Sequence, residues 1–254
     1  MQDEFDEFKD KKVVITGASG VFGRFIAAAF ARAGAKLCLS DMRADGLTDM
    51  VDELGLKKGG YLTHETELQD AASANDLVAL VERQWGAPDI LINNAGVYPS
   101  SLLLDTPLEE WDRIFDVNLR APFILSTGFG ALMKKHAVKG NIINISSGAS
   151  RRVRPTTVPY CTSKAALNHF SKGLALEFSS FGVRVNVVEP GFAPGSIVSE
   201  LSEEHVARVS ANIPLGRTSG PDDVANAIMF LCSSKGQYIT GAILSVDGGN
   251  SIGN

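Results

Sequence analysis

Cysteine is scarce in this 254-residue chain, which has only Cys38, Cys161 and Cys232. Odd in number and far apart, they argue against a disulfide framework and for a reducing compartment. Histidine is nearly as scarce: His64, His136, His169 and His205 form no HxxxH pair, so no metal site is expected. Positive charge is short as well. Lys and Arg number 24 against 29 Asp and Glu, a net charge of −5, so no chain-wide positive field favours nucleic acid or an anionic membrane. Long apolar runs are missing: the stretch from Phe25 to Ala31 stops at Arg32, far short of the ~20 residues that cross a bilayer. The opening MQDEFDEFKDKK is acidic and lacks the apolar stretch of a secretory signal. Together these absences lead to the expectation of a cytoplasmic protein with no nucleic-acid and no membrane partner, and with a flexible acidic N-terminus over residues 1–10.

What is present is ordinary globular composition, 44% hydrophobic and 21% charged, arranged as an alternation. Short apolar runs occur at Lys12 to Thr16, Lys36 to Ser40, Gly60 to Thr63, Asp89 to Ile92, Asn141 to Ile145, Arg184 to Val188 and Ala242 to Val246. Between them lie helical patterns at Arg24 to Gly34, Leu68 to Trp85, Leu108 to Lys135, Val158 to Phe181, Glu203 to Asn212 and Pro221 to Ser233. Strands apolar on both faces and separated by helices indicate an α/β protein with a parallel sheet covered on both sides. No Pro/Ser-rich linker, charge run or internal repeat divides the chain, so a single domain over 11–250 is expected.

The first run feeds the glycine-rich Gly17-Ala-Ser-Gly20-Val-Phe-Gly23 and then a helix. Free N–H groups and the helix dipole both face such a turn, which makes it an anion site. Asp41 stands at the end of the second strand, 24 positions beyond Gly17. An acid there accepts hydrogen bonds from an adenosine ribose and repels a 2′-phosphate. Asn93-Asn94-Ala95-Gly96 closes the fourth strand with small residues and amides, leaving room for a ligand at the carboxyl edge of the sheet.

Tyr160 and Lys164 are four apart at the start of a helix, so their side chains share one face. A phenol with pKa ≈ 10 is a poor base at neutral pH, and lowering it by about 3 units takes about 4 kcal/mol of differential stabilisation. A neighbouring ammonium contributes to that, which gives the lysine its purpose. Ser147 ends a buried strand 13 residues earlier, where its hydroxyl can hold a substrate oxygen while the tyrosine transfers a proton.

Taken in order, the glycine turn after Thr16, Asn93 to Gly96, Asn118, Ser147, Tyr160 with Lys164, Pro190-Gly191 and Asp247-Gly-Gly249 resemble the short-chain dehydrogenase/reductase family from about Lys11 to Gly249. The resemblance implies a three-layer Rossmann fold with a doubly wound seven-stranded sheet in the order 3-2-1-4-5-6-7. It implies hydride transfer between NAD and a secondary alcohol or ketone, NADP being less favoured, with Tyr160 as acid/base. Ser147 would orient the reacting oxygen, Lys164 would lower the tyrosine pKa, and Asn118 would serve a proton relay. Implied cofactor contacts are Gly17, Ser19, Gly20, Val21, Phe22, Gly23, Asp41, Met42, Glu67, Leu68, Asn94, Ala95, Gly96, Tyr160, Lys164, Pro190, Gly191, Phe192 and Ser196. A homotetramer is implied through the helices at Leu108 to Lys135 and Val158 to Phe181 and through the C-terminal strand. The family's middle glycine falls at Val21, whereas this chain has it at Gly20. Glu67 replaces the usual aspartate at the adenine, and Gly195 replaces a threonine, with Ser196 as its substitute.

The substrate face is expected from Tyr98, Ser147, Ala149, Arg152, Val153, Tyr160, Phe192, Ile197 and Leu201, with a lid over about 192–213. Its apolar members suggest an uncharged or partly aromatic substrate. The cluster Arg151, Arg152 and Arg154 reads as a solvated loop or, less favourably, an anion site. Two alternatives stand beside the alcohol/ketone reading. One is a carrier-protein 3-oxoacyl thioester reductase, which Phe181 opposes because carrier-protein reductases tend to place a base before the matching glycine. The other is a non-catalytic nicotinamide-binding regulatory protein, which the intact Asn118, Ser147, Tyr160 and Lys164 oppose.

Overall fold

The computed structural model describes residues 6–195 and 202–252. Seven strands, β1 (Lys12–Thr16), β2 (Lys36–Asp41), β3 (Tyr61–Glu65), β4 (Ile90–Asn93), β5 (Asn141–Ile145), β6 (Arg184–Pro190) and β7 (Ile243–Val246), form one sheet. Its order is β3-β2-β1-β4-β5-β6-β7, and every pairing is parallel. Side chains alternate across each strand, which explains why the strands read as unbroken apolar runs. Val13, Ile15, Leu37, Leu39, Ile90, Ile92 and Ile143 enter one core, while Val14, Cys38, Leu91 and Ile142 enter the other.

The first core is closed by α1 (Val21–Arg32), α2 (Ala44–Glu53) and α8 (Pro221–Cys232), which contribute Ile26, Phe30, Met50 and Ile228. The second is closed by α3 (Ala71–Trp85), α5 (Ala121–Lys135) and α6 (Val158–Phe178), through Leu77, Val81, Leu125, Phe129 and Leu174. The remaining helices are α4 (Leu108–Phe115) and α7 (Glu203–Ala211). This is the expected three-layer, doubly wound architecture. The chain runs outward from β1 to β3 and then returns to β4 on the other side of β1, opening a crevice at the carboxyl ends of β1 and β4.

Three features differ from the sequence expectations. The continuous helix from Leu108 to Lys135 is interrupted by a π turn at Asp116–Arg120, where the Ala121 N–H bonds to the Asp116 carbonyl. Pro122 accounts for it: proline has no N–H to return to the Asn118 carbonyl, and its ring crowds that carbonyl in a regular α-helix. Helix α1 starts at Val21 rather than Arg24, so the last glycine of the turn lies inside it. The third feature is at the N-terminus, where the described residues from Asp6 onward pack against the fold. Phe8 is 2% exposed and meets Phe30 edge-on at 5.2 Å. The Asp10 N–H donates to the Gly34 carbonyl, and the Glu7 carboxylate accepts from the Ser234 N–H at 2.8 Å. The buried ring and these hydrogen bonds together dock the segment.

Cys38, Cys161 and Cys232 are buried and unpaired, and burial pushes the Cys38 and Cys232 thiols up to about 12, so neither is a nucleophile. Among the described residues no helix is long and apolar enough to cross a membrane, and no group of three His, Cys, Asp or Glu could hold a metal ion. Phe8→Ala is expected to cost about 3–5 kcal/mol of stability in urea unfolding. A loss below about 1 kcal/mol would place Phe8 outside the core.

Candidate active site

The glycine turn is fastened to the crevice from the β4 side. The Thr16 hydroxyl accepts from the Asn94 and Ala95 N–H groups at 3.1 and 3.2 Å, while the Asn94 amide donates to the Thr16 and Gly17 carbonyls at 3.0 and 2.9 Å. Gly17 has φ +60°, and a Cβ there would lie 2.8 Å from the Ala95 Cα. At Gly23 a Cβ would fall 2.2 Å from the Gly17 carbonyl oxygen. Both positions therefore require glycine. Gly20 is the α1 N-cap with no side-chain cap bond, and the first turn holds no acid to oppose an anion at the amides of Val21, Phe22 and Gly23. These residues fit a dinucleotide pyrophosphate.

Asp41, buried at the end of β2, accepts from the Ser19 N–H at 3.0 Å and from the Arg43 N–H at 3.3 Å. The Arg43 guanidinium reaches the Ser19 hydroxyl at 2.9 Å. Met42 is exposed next to it. Glu67 turns its carboxylate to the Gln69 N–H at 3.0 Å, and Leu68 is buried in the second core.

Asn93 and Asn94 take different tasks. Asn93 points inward, donating to Ser126 and Asn144, whose own amide reaches Ser171 on α6 at 2.8 Å. Asn94 locks the turn as described. Gly96 then leaves space for two further groups: a Cβ there would meet Asn118 Oδ1 at 3.3 Å and Lys164 Nζ at 3.4 Å. Asn118, wholly buried in the π turn, exchanges two 2.9 Å bonds with the Val97 backbone and donates to Ser163 at 3.0 Å. Its side chain is fully engaged by protein.

Tyr160 and Lys164 open α6 on one face, with Nζ 5.9 Å from the phenol ring centroid and donating to the Ile145 carbonyl at 2.9 Å. Ser147, the residue before the 3₁₀ turn Gly148–Ser150, hydrogen-bonds the Tyr160 phenol. The structure thus brings Asn118, Ser147, Tyr160, Lys164 and Gly96 together at the carboxyl edge. Burial governs the ionisation of both Tyr160 and Lys164. Burial holds the Tyr160 phenol above its ordinary value, and the Ser147 hydrogen bond opposes this without overcoming it. Burial also pulls the Lys164 ammonium down to about 8.

On the substrate side, Tyr98 is 64% exposed and lies edge-on to Tyr160 at 6.2 Å. Ala149 sits in the turn after Ser147, and Val153 is 70% exposed. Pro190 ends β6, the Gly191 N–H bonds to the Val246 carbonyl at 2.9 Å, and Phe192 meets His205 of α7 at 6.3 Å. The arginine cluster is not a free anion site. Arg151 pairs with Glu189, and Arg152 donates to the Asn250 carbonyl at 3.1 Å, so both tie this loop to the C-terminal segment. Ser196, Ile197 and Leu201, and with them part of the expected lid, lie outside the described residues.

Known proteins match along nearly all of this length. The family described as enoyl-(acyl carrier protein) reductase matches residues 17–251. The chain is 38% identical over 243 residues to the 3-oxoacyl-[acyl-carrier-protein] reductase FabG of Escherichia coli (strain K12), covering 95% of this chain and 98% of that protein. It is 34% identical over 250 residues to a 3alpha-hydroxysteroid dehydrogenase of Mediterraneibacter gnavus, covering 96% and 98%. A solved short-chain type dehydrogenase/reductase from Mycobacterium marinum superposes with TM-score 0.89 at 31% identity over 98% of both chains. The chain belongs to the short-chain dehydrogenase/reductase family. It is an oxidoreductase.

The middle glycine of the turn stands at Gly20, one position earlier than the family's usual place. Gly20 has φ −73° and ψ 170°, extended backbone open to any residue, and Val21 is simply the first helical residue. The Thr16 hydroxyl is a contact the sequence reading did not single out; its signal was a polar residue ending an apolar strand at the mouth of the turn.

Lys164 generates a pH test. A fall from the ordinary 10.5 to about 8 corresponds to about 3 kcal/mol against the charged folded form. That penalty is present below pH 8 and is relieved as pH rises toward 10.5, because the unfolded chain then binds the extra proton. The stability of the cofactor-free protein relative to Lys164→Met should therefore rise between pH 7 and pH 10. A pH-independent difference would contradict the buried charge.

Proposed function

We propose that this oxidoreductase interconverts a secondary alcohol and a ketone with NAD(H), using Tyr160 as acid/base. The observation that carries this reading is the convergence of Lys164 and Asn118 at Gly96, with the Lys164 ammonium over the Tyr160 ring and Ser147 acting on its phenol. A bound nicotinamide dinucleotide supplies or accepts the hydride. Ser147 holds the substrate oxygen beside the phenol. In reduction Tyr160 donates its proton to that oxygen, a task suited to a phenol whose pKa burial raises; in oxidation the phenolate takes the proton from the alcohol. Lys164 holds the nicotinamide ribose and steadies the phenolate. Asn118, buried in the π turn beside Lys164, serves the relay that returns the proton to solvent.

The α1 amides, Gly17 and Gly23 take the pyrophosphate, Asp41 the adenosine ribose, Asn94 to Gly96 the ribose edge, and Pro190 to Phe192 the wall behind the nicotinamide. The Asp41 carboxylate supports NAD over NADP, since a 2′-phosphate would meet like charge there. The buried, unpaired cysteines support a reducing, cytoplasmic setting. Self-assembly to a homotetramer is part of the same reading. Its support is the apolar groove of Phe115, Leu119, Phe123 and Phe170 on α4, α5 and α6 and the neighbouring π turn.

A second reading is a 3-oxoacyl thioester on a carrier protein, favoured by the likeness to reductases of that class. Phe181 speaks against it: its ring lies under the Lys134 ammonium at 5.6 Å and beside Phe178, in place of a second base. A panel of secondary alcohols, ketones, 3-hydroxysteroids and 3-oxoacyl thioesters, free and carrier-bound, run with NAD(H) and NADP(H), separates the two. Tyr160→Phe is expected to lower turnover by roughly 10²–10⁴-fold with NADH binding unchanged. Ketone reduction should fall only at alkaline pH, as the phenol ionises. Retained activity in Tyr160→Phe, or no turnover across the panel by the wild type, would sink the reading. Asp41→Asn is expected to weaken NADH binding about tenfold and to narrow its advantage over NADPH. Equal affinities in the wild type would remove the preference.

A further inference from the structure

We propose that Glu189 is a positioning residue of this site, whose buried carboxylate holds the turn carrying Ser147 in fixed relation to the helix carrying Tyr160. The inference rests on the catalytic reading above. Glu189 is a charged residue near the end of an otherwise apolar strand, and its side chain is completely buried. It faces the α6 side of the sheet, the same side as Val185, four residues earlier on β6.

Its two oxygens accept four bonds. Oε1 receives the Ser150 hydroxyl at 2.5 Å and the Asn168 amide at 2.9 Å. Oε2 receives Arg151 Nη2 at 2.5 Å and the Ser245 hydroxyl at 3.1 Å. Four donors fill the capacity of a carboxylate, which is the condition for keeping a charge in the interior.

The donors come from the two elements that must stay in register. Ser150 and Arg151 close the 3₁₀ turn that follows Ser147, with the Ser150 N–H on the Ser147 carbonyl at 2.9 Å. Asn168 continues the helical stripe of Tyr160 and Lys164 at a spacing of four. Ser245 on β7 and Ser251, which accepts from Arg151 at 3.0 Å, brace the turn from behind. Glu189 touches none of the reacting groups, yet it is the shared acceptor between the serine turn and the tyrosine helix.

The test uses the full-length protein and its Glu189→Ala and Glu189→Gln variants, with ethyl acetoacetate as the ketone probe. Tyr160 ionisation is read without substrate, from the ultraviolet phenolate absorbance of each protein minus that of its Tyr160→Phe counterpart. Glu189→Ala is expected to lower kcat about tenfold or more while leaving the NADH dissociation constant unchanged. Its Tyr160 titration should move upward, because a displaced Ser147 no longer favours the phenolate. Glu189→Gln, which keeps an acceptor for Ser150 and Asn168, should recover part of kcat and show a smaller upward shift. An unchanged kcat and titration in Glu189→Ala would overturn the proposal, as would a fall in kcat that tracks lost folded protein while the titration stays put. If Glu189→Ala does not fold, the titration of Glu189→Gln decides. Should the wild type fail to reduce ethyl acetoacetate, that failure concerns the proposed substrate chemistry, and the titration still decides the role of Glu189.

Discussion

The hydroxyl of Thr16, held by two amides from the end of β4, is the contact on which the rest of the site depends. Parallel strands meet through backbone bonds that end with the strands, so a crevice at their carboxyl ends is open unless side chains bridge it. Thr16 and Asn94 bridge it reciprocally, fixing the glycine turn against the Asn93–Gly96 segment. That junction sets where α1 begins, where its free amides point, and how close Gly96 comes to Asn118 and Lys164. The N-terminus of α1 and the helix that carries Tyr160 and Lys164 are thereby held on one sheet edge.

Much of this was legible in the residues. Alternation within the apolar runs gave two cores on opposite faces of one sheet, and the i, i+4 spacing of Tyr160 and Lys164 put both on one helical face. The ends of elements and single exceptions were harder to read. Pro122 was visible, but the π turn it accompanies, which holds Asn118, is a property of the folded helix. Phe8 looked like part of a charged tail because its partner, Phe30, lies on α1, 22 residues away in sequence. Arg151 looked like a surface cation because its buried partner, Glu189, is 38 positions further on.

Electrostatics was the least legible level, because burial and charge pull in opposite directions. Sequence spacing places an ammonium near a phenol and suggests a lowered tyrosine pKa. Desolvation acts on both groups, raising Tyr160 and depressing Lys164. Lys164, Asn118 and Glu189 are polar groups set in the interior at a cost in stability that the two apolar cores offset. Each is held by directed bonds, to Ile145, to Val97 and Ser163, and to Ser150, Arg151, Asn168 and Ser245. The polar interior is therefore concentrated where position matters most.

The central claim is that one sheet edge binds the dinucleotide at the glycine turn and presents its nicotinamide end to Ser147, Tyr160 and Lys164. A crystal structure of the protein with NADH tests this most directly. The account predicts the pyrophosphate on the amides of Val21 to Gly23, the adenosine ribose on Asp41, and the nicotinamide ribose within hydrogen-bonding reach of Lys164 Nζ. A dinucleotide bound away from the α1 N-terminus, or one whose nicotinamide end lies out of reach of Tyr160 and Lys164, would contradict it.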